Sequence, residues 1–346
     1  MRVLPIPVPP APTLSRRVDE SWLVQTPGLR DNSGVGVSAL SNKWALVMVW
    51  LLMAAPVVSS CGRAATPRPS AVSPPASTAL PIPVVGVENV YGNLLEQLGG
   101  ADVSVTSLVV NPNDLSASDT LSTPDRSAMA DAVLVVENGL GDSFVNSMLD
   151  VAPAATRTVL DVASLTGQKS TANPDLWYDL SVIPTVAQAI TQALQRIVPS
   201  QSAYFSANLA KFEKSMKPLQ QLVAQMKASD GGLPIATVDP AFNDMAAALG
   251  MEIQTPAAFA AALGAGQVPS SSAISQEDAL LNSKSVRLLI DDAQLQSPLG
   301  AQLEQLAAKN GVPVVQITAL EPPGLSYQQW MTDELLTIQT TLAQHS

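Results

Sequence analysis

From residue 83 onward, short apolar runs closed by Gly, Pro or Asn alternate with segments of helical periodicity. Residues 83–87 read as a buried strand, and Glu88-Asn89-Val90-Tyr91-Gly92 opens a helix that runs to about Leu98, where Gly99-Gly100 stops it. Residues 103–110 are the next strand, broken by Asn111-Pro112-Asn113-Asp114. A helix is expected after Thr123-Pro124, with Thr123 as its N-cap and the proline in its first turn. Residues 132–136 form a third buried strand that ends near Asn138-Gly139. Strands alternating with helices predict a parallel sheet covered on both faces.

The pattern changes after Pro199. Phe205, Leu209, Phe212, Met216, Leu219, Val223 and Met226 are spaced alternately by four and three, one apolar stripe on a helix over 201–228. Such a helix is about 42 Å long. Periodicity alone leaves two readings open, a helix packed on one lobe or a spine between two. Asp230-Gly231-Gly232 ends it, and a second series follows, with strands at 234–238, 286–290 and 312–317. Helices are expected at 242–249, 299–309 and 326–343. The predicted class is α/β, two βα lobes with parallel sheets joined by one long helix. A ligand cleft is expected between the lobes. The lobes span 83–200 and 229–346.

The first 82 residues have a different character. Residues 44–58 are apolar and uncharged behind Lys43. This run is short for a membrane span, which takes roughly twenty residues, and fits the apolar region of a secretory signal. Val58-Ser59-Ser60-Cys61 follows and resembles the lipobox of bacterial lipoproteins, which implies lipidation of Cys61. The Ala/Pro/Ser-rich stretch 62–82 reads as a tether. Residues 1–42 are either a cytoplasmic extension or an upstream mis-start.

Composition removes several classes of chemistry. A net charge of −11 argues against a nucleic-acid partner. Cys61 is the only cysteine and His345 the only histidine, so a thiolate cluster, a multi-histidine zinc site and an internal disulfide are all excluded. His345 sits one residue from the C-terminus, a poor position for a catalytic base, and no Gly-rich phosphate loop is present. An enzyme is not expected.

Eight stretches in order carry a family resemblance: Glu88 to Gly92, Asn111 to Pro124, Ala130 to Leu140, Asn173 to Asp179, Asp239 to Phe242, Thr255 to Phe259, Gly311 to Val315, and Pro322 to Trp330. Together they resemble the solute-binding proteins of zinc/manganese-type ABC importers, the cluster with a rigid interlobe helix. The resemblance implies a divalent cation as transported ligand, manganese or zinc foremost, and an ABC permease as partner. It also implies a monomer on the outer face of a bacterial membrane.

The family's histidine ligands are replaced here. Counting back from Pro124 puts Ser118 at the first ligand position, with Asp119 adjacent; Asp175 and Asp239 take the second and third. Asp291 or Asp292 is the candidate fourth ligand from the C-terminal lobe. An all-oxygen set suits hard cations such as Mn²⁺, Mg²⁺ or Ca²⁺ better than Zn²⁺. The other reading is a degenerate paralogue, a cell-envelope interaction lipoprotein that binds no metal.

Overall fold

The computed structural model describes residues 81–111, 122–140, 143–151, 156–169 and 173–345. The first lobe is built from β1 (Ile82–Glu88), α1 (Asn89–Gly99), β2 (Val103–Val109), α2 (Thr123–Asp131), β3 (Leu134–Glu137), α3 (Ser143–Val151), β4 (Thr158–Asp161), α4 (Val162–Thr166) and α5 (Val182–Ile197). Its strands pair in parallel in the order β2-β1-β3-β4. A long helix, α6 (Ser202–Asp230), follows, and at 29 residues it is roughly 44 Å long.

The second lobe contains β5 (Pro234–Thr237), α7 (Asn243–Ala248), β6 (Glu252–Ile253), α8 (Ala257–Gly264), α9 (Ser271–Ser283), β7 (Leu288–Asp292), α10 (Pro298–Asn310), β8 (Val314–Ile317) and α11 (Tyr327–Gln344). Its parallel order is β6-β5-β7-β8, the same arrangement as in the first lobe. In both sheets the chain reverses winding direction between the first and third strands of the lobe. Ligands of open α/β sheets gather at such a switch point, beyond the carboxyl ends of the strands.

Close backbone packing fixes the start of the first lobe. A Cβ on Gly86 would lie 2.2 Å from the backbone nitrogen of Gly92, so α1 can settle directly onto β1 only because Gly86 lacks a side chain, and a Cβ on Gly92 would press on Ser107 of β2. Val90, Tyr91, Leu94, Leu95 and Leu98 of α1 are then fully buried.

The stripe on α6 is buried at Phe205, Phe212, Met216, Leu219 and Met226, while Leu209 and Val223 are half-buried. Asn208 joins the buried face because its Nδ2 donates to the Leu98 carbonyl at 3.1 Å. The helix packs against α1, α5 and α11, and thus against elements of both lobes.

Two hydrophobic cores meet the second sheet. Ile235, Leu288 and Ile290 belong to a core continuous with the first lobe, whereas Ala236 and Leu289 belong to a separate core with Phe259, Leu281 and Leu303. That alternation is the period-two rule of a strand buried on both faces.

Three sequence expectations need correction. The N-cap of α2 is Ser122, whose side chain accepts from the Asp125 backbone in a capping box, and Thr123 is the first helical residue. Phe242 lies in a 3₁₀ turn (Pro240–Phe242) that precedes α7, since Asp239 caps that turn through Ala241. The strand expected at 286–290 is β7 at 288–292, extended by parallel pairing of Asp291 and Asp292 with Gln316 and Ile317.

Candidate metal centre between the lobes

The loop carrying Asp175 is fixed from both sides. Asn138, at the end of β3, accepts from the Tyr91 hydroxyl at 2.7 Å and donates to the Pro174 carbonyl at 2.6 Å. Asn173 reaches across to the second lobe, where its Nδ2 donates to the Pro240 and Ala241 carbonyls (3.1 and 3.2 Å) and to the Asp244 carboxylate at 3.1 Å. The same asparagine accepts from the Asp175 backbone N–H through Oδ1 at 3.2 Å. One side chain therefore ties Asp175 to the turn that bears Asp239.

Asp239 keeps its carboxylate in place by accepting from the Ala241 N–H at 2.8 Å. Asp292 accepts from the Gln294 and Ala319 N–H groups at 2.7 and 3.3 Å, both through Oδ1. Its Oδ2 is buried and has no hydrogen-bond partner. Burial alone makes such an oxygen costly to ionise.

The electrostatics identify which carboxylates share a neighbourhood. Burial raises Asp175 well above the usual carboxylate range, and Asp239, Asp292 and Asp244 each push it further. Burial also raises Asp239, against the opposing Ala241 hydrogen bond. Asp292 is pushed up to about 6, again first by burial, with Asp239 adding repulsion. Among the described residues, no basic side chain offsets any of the three.

The structure thus brings Asp175, Asp239 and Asp292 into one field, from one lobe and the other. It does not bring Asp291 there. Alternation along β7 turns Asp291 to the opposite face, over Gly300 of α10, where Glu304 holds the Asp291 carboxyl up to about 7 after burial has raised it. Ser118 and Asp119 lie outside the described residues, as do Cys61 and the apolar stretch 44–58. Among the described residues no three His, Cys, Asp or Glu side chains stand close enough to grip an ion together. No described helix is long and apolar enough to cross a membrane.

Three residues that shape this site carried no assigned role in the sequence. Asn138 and Asn173 lie inside the resembling stretches, but only the fold reveals their bridging bonds. Asp244, in the first turn of α7, joins the site through the hydrogen bond it accepts from Asn173.

Behind the aspartates the lobes are fastened by aromatic side chains. Trp177 donates to the Ala319 carbonyl at 2.8 Å, and the Tyr327 hydroxyl donates to the Trp177 carbonyl at 2.6 Å. Tyr178 stacks edge-on against both Phe242 and Trp330, with ring centres 5.8 and 5.7 Å apart. Such pairs add to plain area burial.

The fold is similar to that of solved metal-binding proteins. The periplasmic zinc-binding protein TroA from Treponema pallidum superposes with a TM-score of 0.64 at 16% identity, covering 75% of this chain and 98% of that one. FpvC of Pseudomonas aeruginosa in complex with Mn²⁺ gives 0.63 at 16%, covering 77% and 100%. The Mn-bound periplasmic metal-binding protein of Candidatus Liberibacter asiaticus gives 0.59 at 17%, covering 75% and 98%. A search of curated protein sequences finds no match. The family described as ZnuA, zinc-uptake complex component A, periplasmic, matches residues 84–341, and the chain belongs to that family.

Proposed function

We propose that this chain captures a divalent cation between its lobes with Asp175, Asp239 and Asp292 and hands it to the permease. As a member of its family it is a metal-binding component of an ABC importer that works outside the cytoplasm. The observation that carries the residue assignment is the mutual repulsion of three carboxylates from two lobes with no basic partner among the described residues, one oxygen of Asp292 being buried and unbonded. A cation entering there would remove the repulsion and draw the carboxylates closer than they stand now.

Oxygen donors without imidazole or thiolate favour Mn²⁺ over Zn²⁺ relative to histidine-bearing relatives, although raw affinity still follows the general order in which Zn²⁺ binds more tightly. At a free Mn²⁺ concentration one hundred times the dissociation constant, stabilisation should be about 2.7 kcal/mol. The double variant Asp175→Ala, Asp239→Ala should fold and lose that stabilisation. Calorimetry and melting curves of wild type without response to Mn²⁺, Zn²⁺, Mg²⁺ or Ca²⁺ would refute metal capture.

The chain's attachment follows from Cys61 after the apolar stretch 44–58, which we read as a lipid anchor on the outer face of the membrane. A Cys61→Ala variant should leave the membrane fraction. Unchanged fractionation and an unchanged mature N-terminus would rule the anchor out.

A further inference from the structure

A cavity lies at the lobe boundary, apart from the aspartate group. It has a volume of about 420 Å³ and is walled by α1 and β2 on one side and by residues 321–325 on the other. None of its lining residues acts on Asp175, Asp239 or Asp292. We propose that this cavity is a separate ligand site that takes a protonated amine or guanidinium on a short carbon chain.

Its polar atoms ask for a donor. Glu321 is only 6% exposed, and its Oε2 has no hydrogen-bond partner. Asn89 Oδ1 is also buried and unpartnered, because the Asn89 amide nitrogen is committed to the Glu321 carbonyl at 2.7 Å. Asn89 Oδ1 is an acceptor and Glu321 Oε2 becomes one when its carboxyl ionises, so a ligand N–H would satisfy both.

Its charge asks for a cation. Glu96 lines the same cavity, no described lysine or arginine does, and burial together with Glu96 pushes Glu321 up to about 8, so Glu321 rests largely protonated near neutral pH and a bound cation would draw its proton off. A bare metal ion fits poorly, since among the described residues these two carboxylates have no third His, Cys, Asp or Glu beside them. The remaining wall is mixed: Asn93 and Ser107 are polar, while Val110, Pro322 and Leu325 form an apolar strip, and Val110 is 58% exposed. A charged head against Glu321 and Asn89, with a carbon chain along Val110 and the prolines, meets each of these demands.

Agmatine carries both cationic heads on a four-carbon chain and is the probe of choice, titrated calorimetrically into the full chain, with n-butanol as the neutral control. The expected result is saturable agmatine binding with no heat from butanol. Glu321→Gln keeps the shape and removes the charge, and it should weaken agmatine at least about tenfold. Val110→Trp, a surface change at the cavity wall with little risk to folding, should weaken it by a similar factor. The Mn²⁺ response should survive in both variants, which separates this site from the aspartate group. Absence of saturable binding up to about 10 mM, undiminished binding in both variants, or displacement of agmatine by Mn²⁺ would each overturn the proposal.

Discussion

Glu334 and Asp292 are both buried carboxylates at the boundary between the lobes, at 8% and 0% exposure, and they are surrounded in opposite ways. Glu334 accepts from the Thr318 N–H at 2.9 Å, from Trp330 Nε1 at 2.8 Å and from the Tyr178 hydroxyl at 2.9 Å, so both its oxygens are engaged by elements of the two lobes. Asp292 directs one oxygen to backbone donors and leaves the other buried and unbonded, with Asp175 and Asp239 as its charged company. A carboxylate supplied with donors on every side is a fastening. One that is held rigidly but left short of positive charge is prepared for something that brings charge. The same residue chemistry at the same interface therefore has two different environments, and the donor count separates them.

The harshest way to break the comparison is to cut the fastening. Trp177→Ala removes a fully buried indole and orphans the Ala319 carbonyl, and it should cost about 3–5 kcal/mol in urea unfolding. Cation response should weaken with it, because the loop that holds Asp175 leads straight into Trp177. A loss below about 1 kcal/mol would mean that the aromatic contact does not join the lobes.

Acidity sharpens the contrast at smaller scale. Glu334 is pushed up to about 7 and Asp292 to about 6, both chiefly by burial. Because each titrates higher in the fold than in the unfolded chain, each favours folding below the ordinary carboxylate range. That contribution is lost as pH rises through 6 and 7. Metal-free protein should lose about 2 kcal/mol or more between pH 5 and pH 8. Saturating Mn²⁺ should recover the share due to Asp292 and leave the share due to Glu334. Glu334→Gln should do the reverse, removing only the share due to Glu334 from the pH profile without touching the metal response. A flat metal-free profile would contradict both assignments.

Much of this frame is written in the apolar spacing. Elements β1, α1, β2 and α6 fall within two residues of the positions that periodicity predicts, since each is long or strongly patterned and closed by Gly, Pro or Asn. Elements β4, β6, α8 and α9 have no equivalent in that reading. Strand β4 is four residues with no fully buried position, and β6 has only two residues, so neither writes an alternating pattern. Helix α5 was equally silent, although it buries Val186, Ile190 and Leu194 at helical spacing; Pro184 in its first turn obscures its beginning. At the site, Asp175 and Asp239 were found by their place in the resembling stretches. That they share one electrostatic neighbourhood with Asp292 is a property of the packed lobes. Glu334 could not be read at all, because in sequence it is one polar residue on an amphipathic helix.

The smallest expected effect settles the ambiguity that the Asp291-Asp292 pair presents. Successive strand residues face opposite ways, so only one of the two can belong to the aspartate group. Leu288 and Ile290 share the core that runs into the first lobe, and two-residue periodicity assigns Asp292 to that side. Leu289 belongs to the other core, and Asp291 follows it toward Glu304, whose carboxyl also receives a hydrogen bond from the Gln316 amide. Asp291→Asn keeps the Oδ1 acceptor used by the Asp292 N–H and relieves the repulsion from Glu304. It should change stability by less than about 1 kcal/mol and leave the Mn²⁺-induced rise in melting temperature intact. Asp292→Asn should keep the two backbone bonds through its Oδ1 yet reduce that rise by at least half, roughly the loss of one of three charged ligands. Equal loss in both variants would show that the face of β7 does not decide which carboxylate meets the cation.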